Sequence, residues 1–554
     1  MTRAAVAPPD VAPRPSLLTG AAAGVAAVVL GAGVGEFVAA IVASPSSPFS
    51  VVGGVLIDLA PSWAKDAAIS LFGTGDKVAL LVGIAIVLLV AAAGVGVLEA
   101  RRPWWGVTIC AGLGTVVAGL AMTRTEATEM SWLPPLIAGL AAAVVLRVLT
   151  RLAWRATDAE AAAAAAEAAS PAVLAMPDED HPDDDAVGTG EDVRGPADAS
   201  RRRFLVWAGS AAAAGILTAA LGSALRAGVR TVEAVRSTLR LPRPAMPAPA
   251  VPAGAQVDVV GAVPVVTPNR SFYRIDTALI VPQVDPATWS LRIFGMVEEE
   301  VVIDWDELLS LPLEESWTTL VCVSNPVGGN LIGNAKWLGH PIRDLLARAR
   351  PTADADMVLS RSIDGFTAST PLEVLQEEDR NAILAVGMND EPLPAEHGFP
   401  VRMVVPGLYG YVSATKWVTE LEVTRFDRAR AYWTDRGWSA KGPVKLQSRI
   451  DVPRRNQGLS PGDTVIAGVA WQQHVGVSKV EVQIDDGPWQ EATLATAISD
   501  DTWVQWSLPW RAAPGQHSIR CRATNAVGET QTEKDSWPEP DGATGWQQLN
   551  VSVA

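Results

Sequence analysis

The sequence predicts a chain in three parts: N-terminal transmembrane α-helices, a central α+β domain, and an all-β, immunoglobulin-like domain at the C-terminus. Three observations carry this prediction. Apolar residues make up 49% of the 554 and charged ones only 19%, with the apolar excess lying before residue 225. After about residue 255 short alternating strands are interleaved with amphipathic helices. After 443 only strand-like segments remain. A chain this long is expected to hold more than one hydrophobic core.

Four stretches, about 17–43, 77–98, 104–122 and 132–150, are long and apolar enough to cross roughly 30 Å of hydrocarbon, which makes 1–155 a four-span membrane domain. A fifth apolar run, 204–222, follows a polar gap and belongs to segment 200–225. The weaker stretch 51–72 is interrupted by Asp58, Pro61, Lys65 and Asp66 and is expected to lie at the interface or re-enter. Glu36, inside the first span, is either a functional carboxylate or a helix-packing group. Arg3 and Arg14, Arg101 and Arg102, Arg147, Arg151 and Arg155, and the triplet Arg201 to Arg203 all fall on one side if 51–72 does not cross. That side is the cytoplasm, so the N-terminus is expected inside and everything after about residue 225 outside.

Ser200-Arg201-Arg202-Arg203-Phe204-Leu205, followed by small apolar residues, resembles a twin-arginine export signal. The plainer alternative is a basic stop before a span. No small-x-small cleavage site with a polar start follows, so the fifth span is expected to stay as an anchor. Residues 156–199 combine an Ala/Glu stretch of helical composition with an acidic tract (178–185), which is expected to be a disordered tether. Segment 226–254 ends in PRPAMPAPAVPAG (242–254), expected as a stiff extended spacer.

Within 255–430, WSLRIFGMV and WTTLVCV alternate like strands, and IRDLLARAR and LEVLQ present helical apolar faces. Within 443–554, Val480, Val482 and Ile484 share a face before the Asp486-Gly487 turn, and Ile519, Cys521 and Ala523 alternate with Arg520 and Arg522. About seven such strands suggest an immunoglobulin-like sandwich.

A net charge of −16 argues against a nucleic-acid partner. The three cysteines, Cys110, Cys322 and Cys521, are too few for an iron–sulfur cluster, a four-cysteine zinc site or a disulfide framework. None of the five histidines lies in a span, and no Cys-x-x-Cys-His occurs, so neither haem nor iron–sulfur is expected. Cys322 ends an apolar strand and opens the loop Ser324 to Asn330, where a thiol can meet a ligand as thiolate. A buried core cysteine is the plain alternative. A Cys322–Cys521 disulfide is disfavoured because Cys521 alternates inward in the sandwich. Cys110 lies in a span and is expected to pack.

Several longer stretches occur in order: TPNRSFYRIDTAL (267–279), TTLVCVSN (318–325), AKWLGHPIRDLL (335–346), NDEPLPAEHGFPVRMVVPGLYG (389–410), TKWV (415–418) and AGVAW (467–471). Together they make 255–554 resemble the molybdopterin-dependent oxidoreductases of the sulfite oxidase family. The resemblance implies a molybdenum–molybdopterin cofactor whose metal is bound by the Cys322 thiolate, a soft ligand suited to a sulfur-rich site. It implies cofactor contacts from Asn269, Tyr273 and Arg274, from Asn325 beside the cysteine, from Ser362, from His397 and Arg402, and from Ser413 to Lys416. Arg402 and Lys416 would offset the cofactor's phosphate. It also implies a small-molecule substrate, a separate electron donor or acceptor, and a C-terminal domain of the dimerisation type.

Three departures bear on the substrate. Phe366 stands where the family has a Tyr over the metal. Pro326-Val327 replace an Arg pair, and Arg274-Ile275-Asp276 replace Arg-Asn-His. Losing a hydroxyl and cationic groups weakens a pocket for an oxyanion, so sulfite is not the expected substrate. The expectation is therefore a membrane-anchored oxidoreductase, with Cys322, Arg274 and Phe366 at the reacting centre. The alternative is a degenerate relative serving as an envelope binding or scaffold protein, against which the retained Cys322 and pterin motifs argue.

Overall fold

The computed structural model describes residues 14–43, 46–59, 76–124, 127–169, 196–228, 232–278, 280–455 and 457–554. The chain divides into two compact units, Met1–Asp58 with Lys77–Val229, and Leu59–Asp76 with Arg230–Ala554.

The first unit is helical: α1 (Leu17–Val42), α2 (Pro48–Leu59), α3 (Asp76–Arg101), α4 (Trp105–Met122), α5 (Leu133–Ala169) and α6 (Pro196–Gly228). Among the described residues five helices are long and apolar enough to cross a membrane: Leu17–Val42, Leu81–Arg101, Trp105–Met122, Leu133–Ala165 and Ala199–Leu225. These coincide with the five expected spans. Helix α2, of 12 residues, is about 18 Å long at 1.5 Å per residue and too short to cross; the rest of the stretch 51–72 lies outside the described residues.

Small residues let these helices touch backbone to backbone. A Cβ on Gly24 would sit 2.0 Å from the Ala92 carbonyl oxygen, and one on Gly33 would sit 2.0 Å from that of Gly215. The buried Glu36 carboxylate accepts a hydrogen bond from Ser47 Oγ at 2.5 Å. A second acid, Glu99, is wholly buried and pairs with Arg147 at 3.0 Å. The Ala/Glu stretch is helical and simply continues α5 to Ala169, while the acidic tract lies outside the described residues.

The second unit opens with the short helix α7 (Val232–Thr238). The Pro-rich stretch after it is extended, as its composition requires, yet it is no free-standing spacer. Ala245 N donates to Leu313 O at 2.7 Å, Glu315 N to Met246 O at 2.8 Å, and Trp317 Nε1 to Pro249 O at 2.8 Å. Extended Pro-rich chain has no hydrogen bonds of its own, and an open sheet edge has unpaired groups to offer, so the two cover each other.

Ten strands build the α+β part: β1 (Ser290–Gly295), β2 (Val301–Asp304), β3 (Glu314–Val321), β4 (Ile332–Pro341), β5 (Met357–Ser362), β6 (Thr367–Pro371), β7 (Ile383–Met388), β8 (Glu391–Pro392), β9 (Arg402–Val404) and β10 (Val418–Thr424). They form one sheet in the order β2-β1-β10-β5-β6 and another in the order β3-β4-β7-β8, with β9 paired to β7. Helices α8 (Trp305–Ser310), α9 (Ile342–Ala349), α10 (Leu372–Gln376) and α11 (Gly410–Ser413) lie between strands. IRDLLARAR and LEVLQ are α9 and α10, with Leu345, Leu346 and Leu375 turned inward.

The C-terminal strands are β11 (Gln447–Val452), β12 (Gly458–Leu459), β13 (Gly462–Trp471), β14 (Val477–Ile484), β15 (Gln490–Glu491), β16 (Thr493–Leu494), β17 (Val504–Ala512), β18 (Gly515–Asn525) and β19 (Gln547–Val553). Two sheets, β11-β13-β17-β16 and β12-β19-β18-β14-β15, sandwich a core that includes Ile466, Trp506, Val480, Val482 and Cys521. No disulfide is formed; Cys521 is wholly buried, as its alternation predicts. The sandwich is not separate from the α+β part. Trp503 N donates to Thr319 Oγ1 at 2.9 Å, and Gln473 Nε2 donates to Thr319 O at 2.9 Å. Trp471 and Trp503 belong to the same apolar core as β1, β7 and β10.

Trp337 on β4 is wholly buried, donates Nε1–H to Thr318 O at 3.1 Å and meets Phe272 edge-on at 5.8 Å. Trp337→Ala is expected to destabilise the second unit by about 3–5 kcal/mol, read as a lowered urea midpoint of the detergent-solubilised chain.

Candidate active site

Strand β3 ends at Val321, and Cys322 begins the loop that returns into β4. The loop is closed by its own backbone: Cys322 N donates to Leu331 O at 3.0 Å and Asn325 N to Cys322 O at 3.0 Å. Asn325 completes it by accepting from Leu331 N at 2.8 Å. A Cβ on Gly329 would lie 2.4 Å from Asn325 Oδ1, and Gly328 has φ +73°, so the Gly pair is required. From the sandwich, Arg449 donates to Gly329 O at 2.9 Å. The thiol is buried at the end of a strand whose following loop is fixed from both sides.

The segment 269–277 supplies the facing wall. Phe272 packs between Trp337 and His397, and Tyr273 stacks on it at 5.3 Å. The Asn269 side chain donates to Met388 O at 3.1 Å and accepts from Asn389 Nδ2 at 2.7 Å. His397 Nε2 donates to Asn269 O at 3.1 Å. Its Nδ1 is then an acceptor, buried and without a hydrogen-bond partner. Burial, aided by Lys416 and Arg402, pushes the His397 pKa down to about 3, so the ring is neutral.

Two cations converge on the same wall. Arg402 is 4% exposed, and its guanidinium donates to the carbonyls of Met403, His397 and Ala414 and lies 5.0 Å from the Trp337 ring centre. Among the described residues no carboxylate pairs with it. Burial lowers its pKa to about 10, with Tyr273 opposing. Lys416 donates to Asp276 Oδ2 and Glu396 O, both at 2.9 Å. Burial outweighs Asp276 and brings its pKa down to about 8. Arg274 donates to the same Asp276 at 3.0 Å, so one carboxylate holds two cations.

Tyr273, Cys322, Ser362, Phe366, Arg402 and Lys416 line a single cavity. The structure thus brings together six of the residues that the sequence singles out. Five others stand behind the wall: Asn269, Asn325, His397, Arg274 and Ser413. Ser413 bonds back to Tyr409 O at 2.9 Å. Ser362 Oγ is buried and has no hydrogen-bond partner. Burial and the neighbouring Cys322 raise the Tyr273 pKa, against Arg402, so the phenol keeps its proton.

Sequence reasoning met Asp276 only as a departure from a motif and did not see it as the hinge between Arg274 and Lys416. It also missed the aromatic lining from Tyr411, Trp433 and Trp438, for which the count of 20 Trp was the available signal. The donor set fits an anionic, sulfur-ligated metal cofactor. A buried thiol, a buried guanidinium bonded only to carbonyls, an ammonium and the unpartnered buried Ser362 Oγ all line the cavity.

The family profile for the oxidoreductase molybdopterin binding domain matches residues 278–433. The "Uncharacterized oxidoreductase YuiH" of Bacillus subtilis (strain 168) is 30% identical over 191 residues, covering 34% of this chain and 91% of that protein. This chain belongs to the sulfite oxidase family of molybdopterin-dependent oxidoreductases. Mitochondrial sulfite oxidase of Macaca fascicularis is 28% identical over 308 residues, covering 47% of this chain and 56% of the relative. The protein-methionine-sulfoxide reductase catalytic subunit MsrP of Burkholderia mallei (strain ATCC 23344) is 33% identical over 233 residues, covering 39% of this chain and 66% of that one. The chain thus spans about half the length of the sulfite oxidases it matches. In this sulfite oxidase family member the profile takes in Cys322, Ser362, Phe366, His397, Arg402 and Lys416, while Asn269, Tyr273 and Asp276 precede it.

The neutral His397 sets a pH dependence. In an unfolded chain a histidine gains a proton below about pH 6.5, whereas here it stays neutral to about 3. Its contribution to stability is therefore intact above pH 6.5 and lost as the pH falls from there toward 3. His397→Gln is expected to flatten that part of the melting-temperature-against-pH curve relative to wild type.

Proposed function

We propose that the chain is a membrane-anchored molybdenum oxidoreductase whose second unit works outside the cytoplasm. It moves an oxygen atom or an electron pair at the metal. The observation that carries this reading is the convergence of Cys322, Arg402, Lys416 and the unpartnered Ser362 Oγ on one cavity. The bound cofactor supplies the two-electron oxygen-transfer chemistry. The chain's residues bind it and tune the pocket.

Cys322 is the thiolate ligand. Arg402 and Lys416 offer their charge to the anionic end of the cofactor, Ser362 Oγ gains the partner it lacks, and His397 holds the Asn269 segment behind them. Arg274 and the side chains of Asn269, Asn325 and Ser413 act by fixing loops. Tyr273 restores a hydroxyl to a cavity where Phe366 has none. Its raised pKa keeps it a donor toward substrate oxygen.

Sulfite is disfavoured, because Arg274 is tied to Asp276 and Pro326-Val327 offer no charge. A neutral S-oxide or N-oxide fits better, and the methionine-sulfoxide reductase relative supports that direction. Electrons pass to or from a separate partner, with neither haem nor iron–sulfur in this chain. The sandwich is read as immunoglobulin-like and as the dimerisation surface. The basic clusters flanking the helices support a cytoplasmic N-terminus, and Ser200 to Leu205 the twin-arginine route.

Two measurements test this reading. Purified protein should hold about one molybdenum per chain and reduce S-oxides with an artificial dye donor, whereas Cys322→Ser should lose turnover by at least about a thousandfold and change the metal's absorption spectrum. Full turnover by Cys322→Ser, or efficient sulfite oxidation with little S-oxide reduction, would overturn the assignment. Changing Arg201 and Arg202 to Lys keeps the charge, and should leave the second unit protected from protease added outside intact spheroplasts. Normal export of that variant would make the triplet a topological anchor only.

A further inference from the structure

The cavity lining is rich in aromatic side chains. Besides Phe272, Tyr273 and Trp417, it includes Phe366, Tyr411, Trp433 and Trp438. These last four belong to a continuous chain of rings. Phe366 lies 5.8 Å from Tyr432, Tyr432 5.2 Å from Trp433, Trp433 6.1 Å from Trp438, and Trp438 5.8 Å from Tyr411. Arg436 covers Tyr432 at 3.6 Å, but Tyr432 is not among the lining residues. Trp438 is 3% exposed, and its Nε1–H is buried without a hydrogen-bond partner.

Charge on this cavity is unevenly satisfied. Asp276 is shared by Arg274 and Lys416. Arg402 and Lys416 are assigned above to the anionic cofactor. Asp364 also lines the cavity, yet it accepts only from Phe366 N at 3.2 Å and Thr277 Oγ1 at 3.5 Å. Among the described residues no Lys, Arg or His pairs with it. A carboxylate that no cation pairs, in a cavity also lined by aromatic rings, repels an anion and attracts a cation, since ring faces and carboxylate act with the same sign.

We propose that this cavity takes an organic S-oxide or N-oxide carrying a cationic head group, held by Asp364 and the rings of Phe366, Trp433 and Trp438, which all line it. The proposal rests on the oxide-reducing reading above and adds the charge of the substrate to it. Trp438 Nε1–H is a donor available to an acceptor atom of the ligand.

Three isosteric sulfoxides separate the charge term from shape: 2-(trimethylammonio)ethyl methyl sulfoxide, its neutral 3,3-dimethylbutyl counterpart and the anionic 2-sulfonatoethyl compound. Each is titrated calorimetrically into the oxidised holoenzyme, which cannot turn over without a reductant. The cation is expected to bind at least tenfold more tightly than the neutral compound, with the anion weakest. Asp364→Asn keeps an acceptor for Phe366 N and should cut the cation's advantage to below threefold. Should that variant fail to fold, Trp433→Leu should also reduce the advantage, and in wild type added salt should narrow it. Equal binding of cation and neutral isostere, tighter binding of the anion, or no binding by any of the three overturns the proposal. Dye-linked turnover on the same sample keeps the two readings apart. Charge ranking without S-oxide turnover upholds this inference and sinks the function above, and turnover without ranking does the reverse.

Discussion

The second unit is organised around a buried positive charge that, among the described residues, no carboxylate meets. Arg402 begins β9, is almost wholly buried and spends its donors on three backbone carbonyls. Removing a guanidinium from water costs several kcal/mol even after relaxation, and dipoles of carbonyls together with the Trp337 face recover only part of that. A fold tolerates such a group when an anion completes it. Around it, Ser362 Oγ is buried without a partner, Lys416 shares Asp276 with Arg274, and His397 is neutral.

The sandwich serves the cysteine as much as itself. Loops at strand ends are ordinarily free to vary, but the one that opens with Cys322 is fixed at Gly329 by Arg449 of β11. One strand earlier, Thr319 on β3 is fixed by Trp503 and Gln473. Positioning a side chain to a fraction of an ångström requires supports that do not move. Here they come from a domain more than 120 residues further along the chain. The single core shared by Val321, Trp471 and Trp503 is the physical form of that dependence.

What the sequence made legible is what repeats locally. Apolar run length identifies the spans, alternation identifies β14 and β18, and helical spacing identifies α9 and α10. Cys322, Arg402 and Lys416 are legible through motifs, since each sits in a stretch whose order along the chain is distinctive. Contacts between distant segments are not legible in this way. Asp276 meets Lys416 across 140 positions, and no local pattern marks a carboxylate that will hold two cations. The Pro-rich stretch is correctly read as extended, yet its seat on β3 depends on an exposed sheet edge that no composition reveals. Glu99 is hidden for a similar reason: it stands near Arg101 and Arg102, while its partner is Arg147, 48 residues on.

The turn between β5 and β6 gives the cavity three of its lining residues. Ser362 N donates to Phe366 O at 2.9 Å, Gly365 N donates to Ser362 O at 3.0 Å, and Gly365 takes φ +86° to close the turn. Ser362, Asp364 and Phe366, spaced two apart, all line the cavity. One short hairpin therefore contributes an unpartnered hydroxyl, an uncompensated carboxylate and an aromatic wall. The Phe366 side chain itself brings no polar atom to the cavity, but a carboxylate two residues earlier and the Tyr273 phenol do, so polarity and apolar wall alternate within one lining.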